Sequence, residues 1–338
     1  MIKGYAELSR MAFGYAGSQI LYAAVHLGIP EALAAGALPV EKLADAIGAD
    51  PRALARLSRA LVVLGVVDEV APGHLALAEL GQPLRADHPW SMRSSVLLLG
   101  DPATWQAWGA LTHSVRTGEA AFDHVHEQPL FDYLAGHPDL SEIFNTAMRE
   151  GTERVASEVA QAYDFAGVRT VVDIGGGNGT LLAAVLAATP GAQGILYDTA
   201  DGGAAAAETF RRAGLSDRCA RQVGDFFESV PEGDLMLLKG VLHDWDDRRC
   251  TALLRNCRAS IAMGGRLLVL EPVLPARLGT PEAAGVVMSD IAMLVYTGGW
   301  ERDRAEFHAL LAAGGFDLAD VTPPLRGSAI RILVADPS

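Results

Sequence analysis

Cysteine is scarce in this chain: Cys219, Cys250 and Cys257 are the only three in 338 residues. No two of them form a Cys-x-x-Cys pair, which argues against a disulfide framework or a zinc site and fits the reduced thiols of a cytoplasmic protein. Long apolar runs are missing as well. No stretch of about 18 residues is apolar enough to span a bilayer, and the amino terminus mixes charged with apolar residues, unlike a signal peptide. Positive charge is in short supply, with 27 Lys and Arg against 41 Asp and Glu and a formal net charge of −14. Such a surface repels phosphate backbones and anionic lipid, so neither nucleic acid nor a membrane is an expected partner. What is abundant is apolar residues, 50% of the chain, and glycine, 36 residues. The length implies two domains with substantial cores.

The glycines are most concentrated in Val171-Val172-Asp173-Ile174-Gly175-Gly176-Gly177-Asn178-Gly179, followed by the helix-compatible run Thr180–Ala187. That pattern reads as strand, tight turn and helix, with glycines letting a ligand approach the backbone. The dinucleotide fingerprint requires Gly or Ala five positions after its first glycine, and Thr180 stands there. Asp173 would also repel a pyrophosphate, whereas the ammonium and sulfonium of S-adenosylmethionine (SAM) suit a carboxylate. The loop therefore favours SAM over NAD, with a purely structural glycine turn as the bland alternative.

Before that loop, residues 10–36 read as helix interrupted at Gly28 and Pro30. Pro39–Ile47 and Pro51–Leu64 form a helix-turn-helix pattern with Asp50 as N-cap, and Val66–Val70 with His74–Leu77 suggests a hairpin wing. A winged helix raises the possibility of a DNA-binding regulator using Arg52, Arg56 and Arg59. Residues 1–100, however, hold 8 basic and 9 acidic side chains, not a basic face. From Trp90 to Asp164 the pattern is helical and rich in aromatics, residues for a core or for the wall of a flat apolar ligand. Asp123–Glu127, with two histidines, reads as a surface turn in preference to a metal site. After residue 164, short apolar strands at Thr170–Ile174, Gly194–Tyr197, Cys219–Val223, Asp234–Lys239 and Arg266–Leu270 alternate with helices, as in a doubly wound parallel sheet. Phe316–Val321 and Ala329–Val334 have no helix between them and should pair antiparallel.

Ligands in such sheets bind beyond the carboxyl ends of the strands. The second strand ends in Asp198, placed to accept ribose hydroxyls or simply to cap a helix. The third leads to Asp225, for an adenine amino group or a turn, and Phe226, for the adenine face. The fourth ends in Lys239-Gly240-Val241-Leu242-His243-Asp244, bringing a lysine, a histidine and an acid together. His243 is a candidate general base, since imidazole titrates near neutrality, although a cap or a core hydrogen bond would also place a histidine here. Glu271, at the end of the fifth strand, could hold the other imidazole N–H.

The run Leu238–Asp247, the Asp173–Gly179 loop, Gly264-Gly265-Arg266, Gly298-Gly299-Trp300-Glu301-Arg302 and Glu306-Phe307 together resemble the SAM-dependent small-molecule O-methyltransferases, the family of plant caffeate and flavonoid enzymes and bacterial polyketide and phenazine enzymes. The resemblance covers nearly the whole chain. It implies a Rossmann-like catalytic domain at 165–338 with a seven-stranded, mostly parallel sheet and an antiparallel C-terminal hairpin. It further implies an all-α, winged-helix-like dimerisation domain at 1–100, joined by a helical, substrate-pocket region at 101–164, and a homodimer. By the same resemblance His243 is the base, Glu271 and Glu301 orient it with Asp244 alongside, and Asp173, Gly175, Gly177, Asp198, Asp225, Phe226 and Lys239 contact SAM. Phe144, Met148, Asp290 and Met293 line the acceptor pocket. The implied reaction moves a methyl group from SAM to the hydroxyl of a small aromatic, leaving S-adenosylhomocysteine, with no metal. N- or C-methylation, or decarboxylation or hydroxylation using SAM without methyl transfer, are the alternatives. The chain departs from the family pattern at Thr199-Ala200, where Leu-Pro is frequent, and at Asp303, where Thr is common.

Overall fold

The computed structural model describes residues 3–338. The chain divides into two compact units, one holding the residues up to Trp105 with Asp139–Glu150, the other Gln106–Pro138 with Gly151–Ser338.

In the first unit the helix expected at 10–36 starts earlier and forms three pieces, Lys3–Ala12, Gly14–His26 and Ile29–Ala32, with the interruption at Gly28 as expected and a further break at Phe13. The break before Ile29 comes from Gly28, whose φ of 78° lies in the left-handed region, and Pro30 then starts the short third piece. The helices Val40–Ile47 and Pro51–Val63 follow, and the Asp50 carboxylate accepts from Ala53 N–H at 2.8 Å, an N-cap worth about 1 kcal/mol. The wing forms as expected from β2 (Val67–Ala71) and β3 (His74–Leu77), and β1 (Leu38–Pro39) adds a third strand in the order β1-β3-β2. The unit is thus mainly helical with a small sheet. Its core gathers Val25, Ile29, Leu43, Leu54, Leu61 and Val67 from the helices and wing.

The second unit is built on seven strands: β4 (Thr170–Ile174), β5 (Gln193–Asp198), β6 (Cys219–Val223), β7 (Gly233–Lys239), β8 (Ile261–Pro272), β9 (Phe316–Val321) and β10 (Ile330–Pro337). Their order is β6-β5-β4-β7-β8-β10-β9, with the first five parallel and β10 antiparallel to both β8 and β9. The period-2 alternation of a strand sorts side chains to two faces, and both faces are covered. Val171, Leu235, Leu237, Leu268 and Leu270 pack on one side with Leu182, Val185 and Leu186 of the helix Thr180–Ala188. Val172, Met236, Leu238, Leu267 and Val269 pack on the other with Leu253 and Leu254 of the helix Asp247–Ser260. Fully burying each such side chain contributes about 1.5–3 kcal/mol, which accounts for the nearly continuous apolar character of these strands.

The strand β8 begins five residues earlier than Arg266, the expected start. Gly264 (φ 77°) lets it bulge, and a Cβ on Gly265 would meet Asp234 O at 2.5 Å, so the Gly-Gly pair is a kink within a strand. The order reverses beside β4, whose neighbours β5 and β7 lead outward in opposite directions, and this switch point places the carboxyl ends of β4, β5, β7 and β8 around one crevice.

Candidate active site

At the end of β4, Asp173 is buried, and its Oδ2 has no hydrogen-bond partner among the described residues. Burial, reinforced by Asp198 and opposed by Lys239, pushes its carboxyl up to about 7. Gly175 (φ 67°) donates its N–H to Tyr197 O at 2.8 Å, and a Cβ on Gly176 would lie 2.5 Å from the Asp173 carboxyl carbon, so the loop admits no side chain there. Asp198, at the end of β5, accepts from Gly177 N–H at 2.7 Å through one oxygen and from Thr199 N–H at 2.7 Å through the other. Thr199 in turn accepts from Gly202 N–H at 3.1 Å, which shows what this residue does in place of the family's leucine. The Asp225 carboxylate closes a turn on Phe227 N–H at 2.8 Å, and Phe226 packs edge-on against Phe227 and Trp245. A side-chain-free loop bordered by two carboxylates, one with an unused buried oxygen, fits a cationic ligand without phosphate.

At the end of β7 the chain turns through a 3₁₀ segment, Leu242–Asp244, that carries His243. Its Nδ1 lies 3.0 Å from Glu301 Oε1 and 3.4 Å from Glu271 Oε2, and both carboxylates are fully buried. Glu271, on β8, is held by Val241 N–H and Leu242 N–H, each donating to Oε1 at 2.9 Å. Burial works against a charged imidazole here, but Glu271, Asp244 and Glu301 together outweigh it and push His243 up to about 10. Asp244 itself is raised to about 6 by burial, with Glu271 and Glu301 adding to the effect and His243 opposing it. Burial lowers Lys239, while Glu271 and Asp173 act in the opposite direction. The Nε2 of His243 makes no hydrogen bond to a described residue. Among the described residues, His243, Glu271 and Glu301 are also the one His/Cys/Asp/Glu group with ligand atoms within 4.8 Å of one another, but their inner oxygens are turned to a single imidazole nitrogen.

Three features here escape a sequence reading. Ser289, on the helix Pro281–Tyr296, donates to Glu301 Oε1 at 2.6 Å, and the adjacent Asp290 accepts from Glu301 N–H at 2.9 Å. Arg302 is 1% exposed and donates to Leu242 O and Trp245 O, both at 2.9 Å, and to Asp247, while lying 4.5 Å over the Trp300 ring. Asp303, the departure from threonine, makes a capping box with Glu306 at the start of the helix Arg304–Ala313, so the exchange keeps an N-cap.

Of the expected acceptor residues, Asp290 and Met293 lie in the second unit and Phe144 and Met148 in the first. Asp123–Glu127 is largely helix, not a surface turn: His124 stacks on His113 at 3.9 Å, and His126 packs on the buried Phe122 at 4.4 Å, which gives both imidazoles packing roles.

The O-methyltransferase domain model matches residues 108–317, and the O-methyltransferase dimerisation domain model matches residues 9–82. This chain belongs to the O-methyltransferase family. The methyltransferase is 41% identical to a phenazine O-methyltransferase, PhzM, of Lysobacter antibioticus over 96% of this chain and 94% of that one. It is also 38% identical to an 8-amino-8-demethylriboflavin N,N-dimethyltransferase of Streptomyces davaonensis, over 90% and 88%. The crystal structure of LaPhzM superposes with a TM-score of 0.94 at 39% identity, covering 100% of both chains. The methyltransferase is also similar, with a TM-score of 0.83 at 33% identity and 96% of both chains, to NcsB1 of neocarzinostatin biosynthesis, solved with SAM and 2-hydroxy-5-methyl naphthoic acid. It is therefore an enzyme, an O-methyltransferase of the kind found in secondary metabolism, and SAM is the cofactor its relatives bind. No helix among the described residues is long and apolar enough to cross a membrane.

Proposed function

We propose that this enzyme transfers the methyl group of SAM to a hydroxyl of a small aromatic, with His243 as general base. The observation that carries the reading is the imidazole held through Nδ1 by two buried carboxylates at the carboxyl edge of the sheet, its Nε2 left free. A phenol of pKa about 10 is ionised in only about one molecule per thousand at pH 7. His243 Nε2 removes the hydroxyl proton, an assistance worth about 10² to 10⁴-fold. Glu301 accepts from Nδ1–H and fixes that tautomer, while Glu271, its Oε2 3.4 Å from the same nitrogen, adds the negative charge that helps stabilise the imidazolium that forms. SAM, when bound, supplies the methyl group on a sulfonium whose positive charge also lowers the proton affinity of an imidazole set among carboxylates. Asp173 favours the cofactor's cationic end, Asp198 its ribose, and Asp225 and Phe226 its adenine, with Gly175, Gly177 and Lys239 completing the cradle. Asp290 and Met293 contact the acceptor, Asp244 adds negative charge beside the base, and no metal takes part. The dimerisation domain supports a homodimer, and the composition a cytoplasmic enzyme.

The amine-methylating relative at 38% identity gives a second reading, transfer to an aromatic nitrogen on the same scaffold. Both are separated by mass spectrometry of products from SAM and a mixed panel of phenols and aromatic amines, with and without a chelator. Methylated phenols formed equally well in chelator support the proposal. Methylated amines alone would favour the second reading, and loss of product in chelator would overturn the metal-free mechanism.

A further inference from the structure

The two carboxylates facing His243 are not supported alike. Glu271 Oε1 receives two backbone N–H groups, from Val241 and Leu242, so its charge is anchored by the chain itself. Glu301 is equally buried, and Oε2 of each carboxylate makes no hydrogen bond to a described residue, but no backbone N–H of a described residue donates to the Glu301 side chain. Its Oε1 lies 3.0 Å from His243 Nδ1 and accepts one other donor, the Ser289 hydroxyl at 2.6 Å. The Ser289 contact has the short length of a hydroxyl donating to a carboxylate. The neighbouring Asp290 fixes the Glu301 backbone through its N–H, so two consecutive helix residues set both the position of residue 301 and the charge on its side chain. Arg302 next door supplies nothing to that carboxylate, since its guanidinium is committed to Leu242 O, Trp245 O and Asp247.

We infer that Ser289 is a positioning residue for the methyl-transfer site: its hydroxyl keeps Glu301 an ionised acceptor, which keeps the proton of neutral His243 on Nδ1 and leaves Nε2 free for the acceptor hydroxyl. The inference rests on His243 being the base and deepens that reading. A carboxylate buried without Ser289 has the imidazole as its one donor. It then has two ways to lower its cost: to hold the imidazole as imidazolium, or to take the proton itself and donate it to Nδ1. The second places the ring's remaining proton on Nε2, the nitrogen the base must use. Both lower the fraction of competent base. The other charges around the pair are Asp244 from the His243 turn, Glu271 from β8 with Lys239 of β7 acting on it, and Asp290 next to Glu301 with Glu306 acting on that aspartate. All but Lys239 are acidic, so they compound the loss.

The test is the pH dependence of kcat for wild type, Ser289→Ala, Ser289→Thr and His243→Ala, using a phenol that the wild type methylates, together with the imidazole ¹⁵N shifts of His243 with SAM bound and no acceptor present. Ser289→Ala is expected to move the acidic limb of kcat upward by about one pH unit, which is about a ten-fold loss at pH 7, with KM for SAM unchanged. Its ¹⁵N shifts are expected to leave the Nδ1–H pattern of wild type. Ser289→Thr, which retains the hydroxyl, is expected to restore both. A Ser289→Ala enzyme with the wild-type limb and shifts, while His243→Ala is inactive, would overturn the role of Ser289 and leave the base in place. Full activity in His243→Ala would instead remove the base reading itself. Loss in Ser289→Ala not recovered by Ser289→Thr would reduce the residue to packing and also overturn the inference.

Discussion

Replacing Arg302 by methionine tests how the fold holds the His243 turn. The guanidinium is 1% exposed, and its bonds to Leu242 O and Trp245 O, each 2.9 Å, bracket His243 and Asp244. Hydrogen bonds from a charged donor contribute about 1.5–3 kcal/mol apiece, so the pair accounts for about 3–6 kcal/mol. The Asp247 side chain is 64% exposed, and that ion pair adds well under 1 kcal/mol. Methionine restores some packing under Trp300, and the Cys250 thiol, 3.2 Å from Leu242 O and 3.4 Å from Trp245 O, can satisfy one of the two carbonyls. The expected loss is therefore about 3–5 kcal/mol, roughly 6–20 °C in Tm at about 2–4 °C per kcal/mol for a domain of this size. The loosened turn also misplaces the base, at a cost in kcat of about 10²-fold for an ångström. Thermal unfolding by circular dichroism and turnover of the same sample give both quantities. Arg302→Lys, which cannot span two carbonyls, is expected to recover little. A methionine variant that melts within about 2 °C of wild type and turns over normally would refute the clamp.

Three other outcomes follow from the same geometry. A Cβ at Gly299 would overlap the His243 carbonyl oxygen, so Gly299→Ala is expected to cost about 1–3 kcal/mol and at least ten-fold in kcat, measured by denaturant unfolding and initial rates. Asp173 has a folded pKa raised to about 7, so its stabilising contribution is complete below about pH 4 and is lost as pH rises through 7, up to about 4 kcal/mol. Asp173→Asn should then raise the Tm of the cofactor-free enzyme at pH 8 but not at pH 4, and an equal effect at both would show that burial of the charge is not the cause. Asp198→Ala removes the acceptor for Gly177 and Thr199 and is expected to weaken SAM by about ten-fold or more in calorimetry; an unchanged Kd would detach Asp198 from the cofactor.

The parts of the site most legible in the sequence were those that local chemistry announces. An acid ending a β-branched strand and followed by four glycines in five positions specifies its own turn, and Asp173 to Gly179 forms as read. His243 and Glu271 end strands whose apolar runs locate them. Glu301 came only from the resemblance, because nothing local ties a residue between β8 and β9 to an imidazole 58 positions earlier. Ser289 and Arg302 were missed for the same reason. A serine inside Val286-Val287-Met288-Ser289 carries no local sign of its partner, and Arg302, though part of the motif that carries the resemblance, has no local sign of its burial until tertiary packing sets each against its partner. The early start of β8 was not read because a glycine pair gives no local sign of lying inside a strand, being as much at home in a turn as in a bulge.

The claim at the centre of this account is that His243 takes the proton from the acceptor. The most direct measurement is the turnover of His243→Ala against pH for a methylated phenol, beside its SAM dissociation constant. Turnover at pH 7 is expected to fall by about 10² to 10⁴-fold and to climb with pH toward the phenol's own pKa of about 10, as the substrate ionises without help, with SAM affinity nearly unchanged. Wild-type turnover at pH 7, or a loss matched by an equal loss of SAM binding, would contradict it.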